Sequence, residues 1–345
     1  MGVFSMSEYT IALDAMGGDQ APDAIVAGAI AALKRFGDIR VILAGPQKRL
    51  ENMVAGVGEV RDRLEILPAD EVIEMDEAPM LAVRQKVNSS MVQAMLAVRE
   101  GRAGAVVSAG NTGALLAGGM LRIGRIPGIE RPALAPVIPG VNKPFLLIDA
   151  GANVDCQPRY LVQFGLMGSV YMRSVMNVEK PAVGLVNIGT EAEKGNKLTK
   201  ETYQLMQAQT SYYFAGNVEA RSVPTGDFDV VVADGFDGNI ILKYTEGLAS
   251  AMMGMLKSDL NASRVTKLGA ALSRPAFRKF KRSMDYNAYG GAPLLGVEGA
   301  VIKAHGASGE TAIMNALRQS RTMLVGDVAG KIRDGLSGLT APTAQ

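Results

Sequence analysis

Short apolar runs alternate with longer amphipathic stretches along nearly the whole chain. That alternation predicts an α/β fold in which a mostly parallel sheet is covered by helices on both faces, a three-layer α/β/α arrangement. Tyr9–Leu13, Ile39–Ala44, Ala105–Ser108, Phe145–Ile148, Ala182–Val186 and Phe228–Val232 have the length and composition of buried strands, with Leu64–Leu67 as a shorter one. Helical patterns cover Pro22–Phe36, Gln47–Val54, Arg159–Val175, Lys197–Gln209 and Ile240–Met255. Pro22 suits a first helical turn, and Asn88-Ser89-Ser90 supplies the N-cap of a helix to Arg99. Ala133–Ile138 is a further apolar run, Leu295–Ile302 reads as one strand, and Glu310–Arg333 reads as one long helix.

Polar and glycine residues collect just after the apolar runs. In a parallel sheet those positions are the carboxyl ends of strands, where ligands bind. Ser108-Ala-Gly-Asn-Thr-Gly113 is the clearest case, because it runs straight into Leu115-Leu116-Ala117 at the start of a helix. Free N–H groups and the helix dipole make such a junction an anion site, with Ser108, Asn111 and Thr112 as added donors. An ordinary capped strand–turn–helix has the same composition. Asp14-Ala-Met-Gly-Gly-Asp19 offers Gly17 and Gly18 for close backbone approach to a phosphate, and Asp14 and Asp19 to position a substrate. A tight turn capped by Asp19 is the plainer alternative. Asn187-Ile-Gly-Thr-Glu191, continuing through Lys194 and Lys197, is either another anion loop or a solvated connection. It lacks the Walker spacing, and no Gly-x-Gly-x-x-Gly stands at a strand–helix junction, so a dinucleotide site has no support. Asp234 and Asn239 either cap the helix that follows or stand in a cleft. His305, the one imidazole, lies between a strand and a helix at the same edge, in a structural or an acid–base role. Several anion-suited loops without a metal or nucleotide signature suggest a phosphate-bearing substrate or inorganic phosphate itself.

Composition narrows the classes. The 345 residues are 48% hydrophobic and 20% charged, an ordinary globular balance with room for a large core. Trp is absent and aromatic residues make up 5%, which argues against base stacking and nucleic acid as a partner. Cys156 stands alone, so no disulfide closes within the chain and a reducing, cytoplasmic setting is expected. One Cys and one His rule out the usual zinc sets, and no metal is expected. No apolar run reaches the ~18–20 residues that span a bilayer, and the N-terminus has no secretory pattern. Residues 1–8 read as an extension, 9–335 as a single α/β catalytic unit and 336–345 as a flexible tail.

Charge is uneven. Between Leu256 and Arg282 eight basic residues face Asp259 alone, so this segment carries +7 within a chain of net charge +2 and leaves the body mildly acidic. Met252, Met253, Met255, Leu256, Leu260, Val265, Leu268, Leu272, Phe277 and Phe280 are interleaved with those bases. Residues 250–287 thus form a helical basic arm. It suits an anionic membrane surface or an acidic protein partner. A dimer-interface helix pair with solvated charges has the same pattern.

Taken in order, Asp14-Ala-Met-Gly-Gly-Asp19, Ser108-Ala-Gly-Asn-Thr-Gly113, Asp149-Ala-Gly-Ala-Asn153, Asn187-Ile-Gly-Thr-Glu191, Ala233-Asp-Gly-Phe-Asp-Gly-Asn239, Tyr289-Gly-Gly-Ala-Pro-Leu-Leu-Gly296 and Ala304-His-Gly306 resemble the bacterial acyl-carrier-protein:phosphate acyltransferases, the PlsX family, over about residues 9–335. The resemblance implies a fold similar to the isocitrate/isopropylmalate dehydrogenases and the phosphotransacetylases. It implies a cytoplasmic homodimer, peripherally attached to the inner face of the membrane and using no organic cofactor. Such an enzyme moves a fatty acyl group reversibly from acyl carrier protein to inorganic phosphate. The acyl phosphate then feeds a membrane acyl-phosphate:glycerol-3-phosphate acyltransferase in phospholipid synthesis. Carried onto this sequence, Gly17, Gly18, Ser108, Asn111 and Thr112 are the expected phosphate and oxyanion contacts. Asp14, Asp19, Gly110, Gly189 and Glu191 belong to the same loops, and Asn187, Asp234 and Asn239 complete the cleft. His305, with Ser308 beside it, is expected to protonate the leaving thiolate or orient phosphate. Leu268, Leu272, Arg274, Phe277, Arg278 and Lys279 are the expected membrane or carrier contacts. Two other classes remain open on the residues alone. One is a decarboxylating dehydrogenase of the same general fold, and the other is a non-catalytic membrane scaffold.

Overall fold

The computed structural model describes residues 8–283 and 286–339; the rest of the expected extension, tail and arm lies outside the described residues. The α/β class and the mostly parallel pairing hold, and the strands divide between two sheets. The first contains β1 (Tyr9–Asp14), β2 (Ile39–Gly45), β3 (Leu64–Pro68), β4 (Ala105–Ser108), β5 (Ala133–Leu134), β11 (Ala292–Leu295) and β12 (Ala300–Lys303). Its spatial order is β3-β2-β1-β4-β12-β11-β5, parallel from β3 to β12 and antiparallel beyond. The second contains β6 (Val137–Ile138), β7 (Phe145–Ile148), β8 (Ala182–Asn187), β9 (Tyr213–Glu219) and β10 (Val230–Val232). Its order is β6-β7-β10-β8-β9, with only β6 antiparallel.

One apolar run supplies both sheets. Ala133–Ile138 is cut at Pro136, which cannot donate to a ladder. Ala133 and Leu134 pair with β11 and Val137 and Ile138 pair with β7. The crossing is fastened where Ala150 N donates to Leu134 O at 2.8 Å and Leu134 N donates to Asp149 Oδ1 at 2.9 Å.

Strand alternation sorts the core. Ile11, Leu13 and Val107 turn toward α1 (Asp23–Arg35) and α11 (Glu310–Val325), while Ala12, Ile42 and Val106 turn toward α4 (Ser90–Arg99) and α5 (Thr112–Gly118). The first cluster continues without a break into the second sheet through α6 (Pro158–Met176). Every residue from Tyr160 to Met172 is buried there, as a helix enclosed on all sides requires. α7 (Lys197–Gln207) and α12 (Val328–Leu336) pack beside α6. On the far face, Ile241 and Leu242 of α8 (Gly235–Asn261) pack on Phe145, Leu147 and Val231.

Three expectations are corrected by backbone conformation. Leu295–Ile302 is a hairpin, because Gly296 (φ 92°) and Gly299 (φ 112°) reverse the chain between β11 and β12. The long C-terminal helix is two helices, broken where Asp327 adopts φ 45° and caps α12. The helix expected from Ile240 begins at Gly235, capped by Asp234. α3 (Pro79–Gln85) and β9 carry too weak an apolar period to read, since α3 buries only Ala82 and Val83. Residues 337–339 continue in turns, with Leu339 packed against the core.

Beyond its first turns α8 leaves the body. α9 (Arg264–Leu272) and α10 (Arg274–Ser283) follow it, and α9 has no buried residue. Val265, Leu268 and Leu272 are 80%, 65% and 76% exposed. No helix among the described residues is long and apolar enough to cross a membrane.

The α1–α11 contact rests on Gly28, where a Cβ would stand 2.6 Å from Ile313 Cβ and 2.8 Å from Glu310 O. Gly28→Ala is expected to destabilise the fold by about 1–3 kcal/mol through overpacking, read as a lower urea midpoint with an unchanged slope.

Candidate active site

Three neighbouring parallel strands, β1, β4 and β12, end at one edge of the first sheet, and their loops interlock. Asp14 closes β1 and is fully buried. Ser90 Oγ at the start of α4 donates to its Oδ1 at 2.6 Å, and Ser108 Oγ at the end of β4 donates to its Oδ2 at 2.6 Å. Burial pushes the Asp14 carboxyl above its usual range, against the opposing pull of these two serines. Ser108 Oγ also accepts from Gly110 N at 3.0 Å, so one hydroxyl shapes the loop and holds the strand pair.

Gly17 and Gly18 pass through this knot. A Cβ on Gly17 would collide with the Asp14 carboxylate and stand 2.7 Å from Gly110 N. Gly18 adopts φ 108°, and a Cβ there would meet Ala109 Cβ at 2.9 Å and Gly306 O at 3.0 Å. Asp19 N donates to Gly306 O at 2.8 Å, which joins the loop after β1 to the loop after β12. Asp19 is exposed at this junction.

Asn111 caps α5 by accepting from Ala114 N at 2.9 Å, while its Nδ2 donates to the carbonyls of Glu74, Met75 and Glu77 at 3.1–3.2 Å. Its side chain therefore builds the loop, and Thr112 opens the helix half-buried beside it. His305 is exposed, and its Nδ1 accepts from Ala307 N at 3.2 Å. Ser308 N donates to His305 O at 3.0 Å, and its buried Oγ has no hydrogen-bond partner among the described residues.

A second set of loops ends β7, β8 and β10. Asp149 accepts from Leu134 N, Ala152 N and Asn153 N at 2.6–3.1 Å, and burial pushes its carboxyl up. Asp234 caps α8 by accepting from Asp237 N at 2.8 Å, and desolvation, then the Asp234 charge, raises the Asp237 carboxyl. Gly238 lies so close to Asp149 O that no Cβ fits between them, and Gly151 lies against Asn239. Asn187 Nδ2 donates to Lys194 O at 3.0 Å and its Oδ1 accepts from Ile188 N at 2.9 Å, closing the loop that holds Gly189 and the exposed Glu191. Desolvation pushes the Cys156 thiol up to about 12, so it stays protonated at neutral pH.

Asp14, Gly17, Gly18, Asp19, Ser108, Gly110, Asn111, Thr112, His305 and Ser308 thus share the β1–β4–β12 edge. Asn187, Gly189, Glu191, Asp234 and Asn239 belong to the second sheet. The six arm residues lie on α9 and α10, away from both sets of strand ends. Sequence reasoning passed over Ser90, read only as part of a cap, and Lys303, which ends β12 and is buried. Lys243 of α8 lies near enough to oppose the Lys303 charge. A lysine closing the otherwise apolar Ala300-Val-Ile was the available signal.

Polar loops at the strand ends of a doubly covered parallel α/β framework, with helix N-termini and backbone donors turned to one edge, define an anion-handling α/β enzyme. Solved structures share the framework. A phosphotransacetylase from Streptococcus pyogenes aligns with a TM-score of 0.61 at 16% identity, covering 92% of this chain and 94% of its own. The EutD phosphotransacetylase from Staphylococcus aureus gives 0.60 at 14%, covering 97% and 96%. At such identity these establish the fold alone.

The family model described as "Fatty acid synthesis protein" matches residues 9–331. A phosphate acyltransferase of Clostridium perfringens is 50% identical over 327 residues, covering 95% of this chain and 96% of the relative. One of Clostridium botulinum is 48% identical over 329 residues, covering 95% and 98%. The chain belongs to this family, the phosphate acyltransferases named PlsX above, and is an acyltransferase of fatty-acid metabolism.

Because one amide caps α5 and holds three carbonyls, Asn111→Ala is expected to cost about 2 kcal/mol of stability, measured by urea unfolding. Asn111→Asp, which keeps the cap acceptor and loses the donors, should recover only part of it.

Proposed function

We propose that the chain transfers a fatty acyl group reversibly from acyl carrier protein to inorganic phosphate, giving acyl phosphate for phosphatidic acid synthesis. The observation that carries this reading is the interlocked β1–β4–β12 edge, where backbone donors at the start of α5 stand beside the loop of His305 and Ser308. Phosphate is already a nucleophile at neutral pH, so neither a covalent enzyme intermediate nor an organic cofactor is required. The protein's task is to hold phosphate in line with the thioester carbonyl and to stabilise the oxyanion that develops. One well-placed donor at that oxyanion is worth ~2.7–4 kcal/mol. In this scheme Gly17, Gly18, Ser108, Gly110 and Thr112 shape or line the phosphate position, with Asp14, Asp19 and Asn111 fixing the loops. Asn187, Gly189, Glu191, Asp234 and Asn239 bound the thioester side. His305 protonates the departing thiolate or orients phosphate, and the unpartnered hydroxyl of Ser308 supplies a further donor.

The exposed arm completes the picture. An acidic carrier protein complements its positive charge, and its apolar side chains fit the face of an anionic membrane. In this reading the enzyme is cytoplasmic and peripherally attached to the membrane that holds the downstream acyl-phosphate:glycerol-3-phosphate acyltransferase. Phe236, Ile240, Tyr244 and Leu248 recur every four residues on α8 and are 45–68% exposed, which suits a second copy of the chain in a homodimer.

Release of free carrier protein from palmitoyl carrier protein should require added inorganic phosphate and yield an acyl product trapped by hydroxylamine. His305→Ala should lower kcat by about 10²-fold or more, and a full rate in that variant removes His305 from the chemistry. Absence of phosphate-dependent turnover in the folded wild-type protein would overturn the whole reading.

Leu268→Glu is expected to abolish co-sedimentation with anionic liposomes while leaving the circular dichroism spectrum unchanged. Binding equal to wild type would remove α9 from the membrane contact.

A further inference from the structure

Lys303 is an ionisable group at the β1–β4–β12 edge to which the acyl-transfer scheme gives no task. It ends a strand whose other residues are buried and apolar, and it is itself only 9% exposed. An ammonium taken from water needs partners, and Lys303 has two backbone carbonyls. Its Nζ donates to Ala109 O at 3.3 Å, in the loop after β4, and to Ala304 O, in the loop after β12. The charged groups that face it are Asp14 of β1, Asp19 of the following loop and Lys243 of α8, with His305 two residues on in its own loop. The carboxylates favour the ammonium and Lys243 opposes it; burial outweighs them and pushes Lys303 down to about 8.

The geometry makes Lys303 the counterpart of Asp14. The Asp14 carboxylate gathers hydroxyl donors from α4 and β4, while the Lys303 ammonium gathers carbonyl acceptors from β4 and β12. In a trans peptide the C=O and the following N–H point to opposite sides. Capturing Ala109 O therefore sets the direction of Gly110 N–H, and capturing Ala304 O sets that of His305 N–H. Charge-assisted hydrogen bonds are about twice as strong as neutral ones, so the ammonium holds these peptides more firmly than the neutral amine.

We propose that Lys303, as an ammonium, is a positioning residue of the anion site, holding the Ser108–Gly113 and His305–Ser308 loops in the relative placement that receives phosphate. The assignment rests on reading this edge as the phosphate site. An anion arriving there favours the ammonium, so phosphate binding and protonation of Lys303 are coupled. The sign follows from the lowered value. The ammonium is present below about pH 8 and is lost above it, so affinity for phosphate falls as pH rises through that range.

The test is steady-state turnover of palmitoyl carrier protein with inorganic phosphate from pH 6.5 to 10, in wild type, Lys303→Arg and Lys303→Met. In wild type, KM for phosphate should rise about tenfold per pH unit above about pH 8, with kcat nearly constant. Lys303→Arg keeps its charge throughout, so the alkaline rise should vanish while KM at pH 7 stays within about tenfold of wild type. Lys303→Met should raise KM about 100-fold at pH 7 and remove its pH dependence. A purely structural lysine would lower thermal stability without moving the pH profile. A wild-type KM that is flat to pH 10 overturns the proposal without either variant, as does the same alkaline rise in Lys303→Arg. Turnover of palmitoyl carrier protein that needs no phosphate overturns the functional reading itself, and this assignment with it.

Discussion

A carboxylate withdrawn from water must be met by donors, and the strand-end architecture of this protein is arranged around one such carboxylate. Asp14 is reached by Ser90 from α4 and by Ser108 from β4, and the backbone of its own loop bends back on it at Met16. Three segments far apart in the chain are thereby held at one point. The path of the Gly17–Gly18 turn follows, since any side chain at Gly17 would strike that carboxylate. The contact of Asp19 with Gly306 then brings in β12. Removing the carboxylate would leave two buried hydroxyls without an acceptor, and a buried polar group without its partner costs more than the bond it made.

Placing an anion at such an edge raises an electrostatic difficulty. Asp14 and Asp19 are acidic side chains, and the nearby Lys303 amine is engaged by two carbonyls. In the proposed reading, attraction for phosphate there comes chiefly from peptide N–H groups of the strand-end loops, which bind an oxyanion without the tight grip of an exposed guanidinium. The strong positive charge sits on α8–α10 instead, where it faces outward. The polar strand-end loops and the basic arm are thus separate parts of the chain, joined through α8, whose first turns pack on the second sheet and whose remainder is exposed.

The two-sheet division has a local cause of modest size. Pro136 interrupts a ladder, so a six-residue run becomes two dipeptide strands in different sheets. α6 then fills the space between the sheets and makes their cores continuous, which is why it is buried around its whole circumference from Tyr160 to Met172. The Asp149 carboxylate stabilises the crossing much as Asp14 stabilises the other edge, by collecting backbone N–H groups that would otherwise be buried without partners.

Strand and helix identities were legible from the residues themselves wherever periodicity is strong, as in β1, β4, α4 and α7, because burial on a fixed face imposes that period. The polar loops were legible for the same reason: a buried strand must emerge somewhere, and its exit carries small and polar residues. The anion-suited edge could therefore be named at Asp14–Asp19 and Ser108–Gly113 before any contact was known. Tertiary structure alone decided what each side chain does there. Asn111, legible as a donor, spends its amide on three carbonyls some thirty-five residues away. Ser90, legible as part of a cap, serves a carboxylate on a strand, and Lys303, one residue beyond the strand expected to end at Ile302, ties two loops together. These roles depend on partners distant in sequence, and no local pattern encodes them. Local chemistry determined which loops are suited to an anion, and only long-range packing decided which of their polar atoms are engaged within the fold.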